Sequence, residues 1–185
     1  MPPAASRPAL LISSCLLGRP VRYDGQGKAQ PDAVLARLRE VFELVPACPE
    51  LLGGLPVPRP PAEIVGGSGP QVLAGVAVVR ERSGGDVSAA FVSGAQQALA
   101  LARERGCRHA LLKAFSPSCG NRAHYDGSFT GAHRAGQGVA AALLAEAGLM
   151  VWSEDEVDAL LRAVADAVAE DAGADSTLAA SGLPR

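Results

Sequence analysis

At 185 residues the chain can bury one well-formed core and is cramped for two. Apolar residues make up 48% and aromatics only 4%, so the core must be built from Leu, Val and Ala with helices packed closely. Basic residues (17) fall short of acidic ones (19), a net charge of −2. That balance argues against DNA or RNA as the main partner, because phosphate binding draws on a basic surplus.

In chain order, the start Met-Pro-Pro-Ala-Ala-Ser-Arg-Pro is proline-rich and does not read as a signal peptide, so residues 1–8 are expected to be a flexible N-terminus. Residues 9–14, Ala-Leu-Leu-Ile-Ser-Ser, read as a short buried strand. Residues 32–40 carry apolar and charged positions at helical spacing, and 41–47 read as a second strand. The segment Pro49–Pro70 is rich in Pro and Gly without a helical period, which predicts an ordered loop or a linker. Val72–Arg80 reads as a strand, of edge type. Asp86–Arg105 has the spacing of a long amphipathic helix, closed by Gly106. Ala110–Phe115 is another buried strand, Gly136–Ala147 a helix of small residues stopped by Gly148, and Leu149–Trp152 a last short strand. Ser153 with Glu156 three residues on forms a capping box for a helix to about Ala172, and 173–185 is expected to be a loose tail. No apolar run approaches the roughly 18 residues that a membrane span requires, so a soluble cytoplasmic protein is expected.

Short apolar strands alternating with helices predict a single α/β domain over 9–172: a Rossmann-like three-layer sandwich around a mainly parallel sheet. In such a sheet the carboxyl ends of the strands share one rim, where ligands bind. Cys15 follows the first strand, Cys48 the second and Cys119 the strand at 110–115, so three cysteines converge there. Cys107 lies between a helix end and a strand start, at the opposite rim. Zinc would want four ligands, with His124 the nearest candidate to complete a set. A four-iron cluster with one iron left open fits three thiolates better. A thiol enzyme with Cys119 as nucleophile and His124 or His133 as base is a rival, as is a non-catalytic iron-sulfur or zinc protein.

The stretches ISSCLLGRPVRYDGQGK, VPACPELLGGLPVPRPPAEI and LLKAFSPSCGNRAHYDGSFTG give a more specific reading. In this order they resemble the motif blocks of the family that includes the thiouracil desulfidases, over about residues 9–153. The resemblance implies an oxygen-sensitive [4Fe-4S] cluster held by Cys15, Cys48 and Cys119, and non-redox removal of sulfur from a small thiolated nucleobase. Replacing C=S by C=O needs an activated water, and Glu50, two residues after Cys48, is the expected acid/base, the position to which the resemblance also points. Ser116 is placed to orient that base or the water, or else simply to form a Ser-Pro turn. Ser14 and Ser118, beside cysteines, are candidates for hydrogen bonds to cluster or substrate. Tyr23 and Tyr125, in twin Tyr-Asp-Gly turns, offer faces for a flat ring, with Arg22, Lys28 and Asn121 as polar candidates at the mouth. Arg59 and Glu63 are expected to pin the Pro-rich loop rather than touch substrate.

Overall fold

The computed structural model describes residues 7–179, with side chains described to residue 170. Four strands form the central sheet: β1 (Ala9–Ser13), β2 (Glu43–Ala47), β5 (His109–Leu112) and β8 (Met150–Ser153). Their order is β2-β1-β5-β8 and every pairing is parallel. Alternate residues of β1 feed opposite cores, as a strand buried on both faces requires. Leu10 and Ile12 pack with Leu35 and Leu38 of α1 (Asp32–Val41) and Leu160 of α6 (Val157–Ala179). Leu11 faces the other way, toward Leu99 and Ala102 of α4 (Ser88–Glu104) and Ala141 and Leu144 of α5 (Val139–Glu146). The result is the expected three-layer α/β sandwich in a single domain. No helix among the described residues is long and apolar enough to cross a membrane.

Ser13 pairs with Ala47, Ile12 with Leu111 and Leu112 with Ser153, so the four carboxyl ends finish level. The Ser153–Glu156 capping box forms, on a 3-10 turn (Glu154–Glu156) that leads into α6.

The stretch expected to be loop or linker, 49–70, holds three short elements instead. They are α2 (Pro49–Leu52), β3 (Ala62–Val65) and the start of α3 (Gly69–Leu73). α3 takes over the beginning of the strand expected from Val72, and only β4 (Val78–Glu81) is extended. β3 and β4 form an antiparallel pair apart from the main sheet. Ser68 and Gln71 close a capping box with Pro70 in the first turn, which is why a Pro/Gly-rich stretch still nucleates a helix. The hairpin of β6 (Ala123–Tyr125) and β7 (His133–Ala135) was not expected. α6 runs past the anticipated end near Ala172, so the expected tail from 173 overlaps it; the rest of that tail and most of the expected N-terminus lie outside the described residues.

α2 is placed by a backbone-to-backbone contact. A Cβ on Gly94 of α4 would meet the Pro49 carbonyl oxygen at 1.9 Å, and one on Gly53 the Ala90 oxygen at 2.0 Å. Two glycines thus let α4 and α2 touch directly, fixing the short helix that carries Glu50 and begins beside Cys48.

Candidate active site

Cys15, Cys48 and Cys119 all lie just beyond the carboxyl rim. Cys15 is in the 3-10 turn Ser14–Leu17 that follows β1, where its carbonyl accepts hydrogen bonds from the Lys28 (2.8 Å) and Gly18 (3.0 Å) N–H groups. Cys48 is the residue before α2, and its thiol sits 4.0 Å from the Val21 carbonyl. Cys119 is buried, and the Ser13 hydroxyl donates to its sulfur at 3.5 Å. The Ser13 oxygen in turn accepts the Lys113 N–H at 3.1 Å, which directs the hydroxyl proton toward Cys119.

The electrostatics group the same three thiols. Burial, then the nearby Cys48, push Cys15 up to about 11. Cys119 is raised further, by burial first, with Cys15, Cys48 and Glu50 adding repulsion against the Ser13 hydrogen bond. Cys48 is also raised, chiefly by burial. Cys107 is raised by burial, but the charges it feels are Arg105 and Glu43 and not another cysteine. Burial therefore disfavours each rim thiolate, and at Cys15 and Cys119 a neighbouring cysteine adds to it, unless something positive compensates. Among the described residues no three Cys, His, Asp or Glu side chains gather tightly enough for a single metal ion. A cluster interposes several iron and sulfide atoms between its thiolates and asks for wider spacing. All four cysteines are free thiols.

A cavity of about 450 Å³ opens at this rim, its wall including Glu50, Arg59, Ser116, Tyr23 and Tyr125. Glu50 is held on one oxygen: Oε2 accepts from Arg59 Nε at 2.7 Å and lies 2.6 Å from its Nη2. Arg59 also donates to the Pro56 and Val21 carbonyls, each at 3.1 Å. It pins the loop, as expected, and also the carboxylate, which the sequence did not reveal. Glu63 accepts the Gly127 and Phe129 N–H groups (2.9 and 3.0 Å) and ties the loop after β6 to β3. Ser116 Oγ accepts the N–H groups of Ser118 and Cys119, each at 3.1 Å, so it builds the turn that presents Cys119 while lining the cavity.

Three expected contact residues lie off the cavity wall. Ser14 is buried in the turn after β1. Ser118 is buried with its hydroxyl unpartnered within the protein, while its carbonyl accepts the Ala140 and Ala141 N–H groups that open α5. Asn121 donates to Glu156 at 2.6 Å and so secures the start of the last helix. Neither histidine is hydrogen-bonded to Cys119: His124 is fully buried with Nδ1 against the Tyr125 carbonyl, and His133 stacks with rings at the cavity edge. The Cys–His nucleophile arrangement is thus not formed.

Lys113 is a cavity-wall residue that no motif marks: its ammonium pairs with Glu154, while the other Glu154 oxygen accepts the Ala114 N–H at 2.7 Å. Only the apolar run before it gave a signal there.

A parallel α/β sandwich whose carboxyl rim carries two buried thiols, one half-buried thiol and a clamped carboxylate beside a cavity defines a site of the metallocluster type. Residues 10–156 match the 2-thiouracil desulfurase family, and the chain belongs to that family. It is similar to the solved structure of TudS, a [4Fe-4S]-dependent thiouracil desulfidase, with a TM-score of 0.76 and 43% identity over 86% of this chain and 99% of that one. It is also 45% identical over 152 residues to YbbK, an uncharacterized protein of Bacillus subtilis (strain 168), covering 82% of this chain and 99% of the relative.

Proposed function

We propose that the protein removes sulfur from a small thiolated nucleobase such as thiouracil, using a [4Fe-4S] cluster held by Cys15, Cys48 and Cys119. The donor set fits the group: three thiols stand beyond one sheet rim, burial and a neighbouring cysteine disfavour the thiolates of Cys15 and Cys119 unless a cationic partner is bound, and among the described residues no three such side chains gather tightly enough for a single ion. When bound, such a cluster would supply a thiophilic, Lewis-acidic iron.

The overall reaction exchanges C=S and water for C=O and hydrogen sulfide without net oxidation. The chain's own residues handle the water and its protons. Glu50 takes a proton from water as it attacks the ring carbon and returns it to the departing sulfide. Arg59 occupies Oε2 and so leaves Oε1 as the basic oxygen. The Ser116 hydroxyl, whose oxygen is fixed by two N–H donors, keeps its proton to orient the water or the ring. Tyr23 and Tyr125 give the cavity its flat walls. Reduced thiols and an oxygen-sensitive cluster suit the cytoplasm, where we place the protein.

The observation that carries this reading is the meeting of Cys119 with Cys15, Cys48 and the clamped Glu50 carboxylate, which lines the rim cavity. Anaerobically reconstituted protein is expected to be brown, to carry iron and acid-labile sulfide in equal amounts, and to convert 2-thiouracil or 4-thiouracil to uracil with release of sulfide. Iron-loaded protein inert toward both compounds would overturn the assignment.

A further inference from the structure

Phe115 stands immediately before Ser116 and has an unusual conformation. Its φ is 63°, in the left-handed region that a bulky L-residue rarely enters. Such a conformation costs energy that surrounding contacts must offset. The core gains nothing from it, because Phe115 remains 39% exposed. Two features hold it instead. Its backbone forms a bridge to His124, and its ring stacks on His133 with centroids 4.3 Å apart and planes 11° from parallel. His133 is backed in turn by Tyr125, at 4.6 Å and 55°. The three rings run from the hairpin into the wall of the cavity that holds Glu50 and Ser116.

His133 covers one face of the Phe115 ring, and the residue lines the cavity. We propose that Phe115 is a substrate-positioning residue: its open face is the platform on which the planar ring of the thiolated base stacks, with His133 and Tyr125 as its backing. Aromatic side chains favour offset-stacked partners, and every nucleobase presents a π face. A platform one residue from Ser116 supplies stacking energy that the ground state and the transition state share, so its loss falls on KM and not on kcat. The inference rests on the desulfurase reading of the cavity.

The test pairs binding with turnover, under argon, for wild type, Phe115→Leu and Phe115→Trp with iron content measured throughout. Uracil binding by calorimetry reports the platform without chemistry. 2-Thiouracil and thiourea, which shares the C=S group but has no aromatic ring, report turnover. Phe115→Leu is expected to weaken uracil binding and raise KM for 2-thiouracil about tenfold, inside the range of about 5- to 150-fold typical of base–aromatic stacking, with kcat within about twofold. Its thiourea turnover should match wild type, and Phe115→Trp should keep uracil affinity. Wild-type uracil affinity in the Leu variant overturns the platform, as does equal loss with 2-thiouracil and thiourea. Equal loss of uracil binding in the Leu and Trp variants, with iron intact, also overturns it. If uracil binding is lost in Phe115→Leu while wild type turns over no thiouracil, the platform stands and the desulfurase reading falls.

Discussion

Arg59→Met removes the guanidinium that grips Glu50, and the structure sets how much this should cost. The Arg59 side chain is 4% exposed and that of Glu50 16%, so the pair is largely desolvated. Breaking a buried pair by deleting one partner costs about 3–5 kcal/mol, because the remaining charge is stranded. The residual exposure of Glu50 puts the expected loss at the lower end, about 3 kcal/mol, or about 6–12 °C in Tm for a domain of this size. Part of that loss is unrelated to Glu50, since the Pro56 and Val21 carbonyls also lose donors, worth about 1 kcal/mol each. Adding Glu50→Gln to Arg59→Met removes the stranded charge but does not restore those two bonds. The double variant should therefore regain about 1 kcal/mol over the single one, a coupling within the usual range for contacting residues. Chemical denaturation under argon, followed by far-UV circular dichroism on all four proteins of the cycle, measures it. Strictly additive losses would show that Arg59 acts on the loop alone and does not hold the carboxylate.

Four further outcomes follow from the same contacts. Glu50→Gln should keep its iron yet lose about 10²- to 10⁴-fold in anaerobic thiouracil turnover, as for a missing acid/base, whereas iron loss would mark Glu50 as a support of the cluster. Ser116→Ala should lose less turnover than Glu50→Gln, but its melting temperature should drop because two N–H groups at the Cys119 turn lose their acceptor. Gly94→Ala should push α2 away from α4 and lower both Tm and iron retention, since its Cβ would collide with the Pro49 carbonyl; normal values for both would refute the backbone contact. Burial, then Arg108, hold His109 below its ordinary 6.5, so its contribution to stability is full above pH 6.5 and is lost as pH falls through the lower folded value. Melts between pH 7.5 and 5 should therefore show a smaller decline in His109→Gln than in wild type, because neutral Nδ1 accepts the Trp152 indole N–H at 3.2 Å.

The central sheet was legible because strands buried on both faces read as continuous apolar runs, and Leu10, Leu11 and Ile12 leave no other assignment. The convergence of Cys15, Cys48 and Cys119 followed from the same feature, since parallel strands place their carboxyl ends at one rim. The stretch 49–70 resisted because α2, β3 and α3 have 4, 4 and 5 residues, too short for either period to show. The β6–β7 hairpin has 3 residues a side and β7 is wholly exposed, so no alternation marks it. The pairing of Arg59 with Glu50 depends on how the Pro-rich loop folds back over α2, which local pattern does not encode. Asn121 looked like a pocket residue beside Cys119, but the carboxylate that claims it lies 35 positions away.

The central claim is that three cysteines hold the cluster and the fourth does not, and iron content tests it most directly. Cys15→Ala, Cys48→Ala, Cys119→Ala and Cys107→Ala would each be purified and reconstituted anaerobically, with iron, acid-labile sulfide and thiouracil turnover measured on the same samples. The first three should lose bound iron and activity together. Cys107, coupled to Arg105 and Glu43 and to no other thiol, should be replaceable with both retained and only a small packing loss. A colourless Cys107→Ala protein beside a brown, active Cys15→Ala protein would contradict the account.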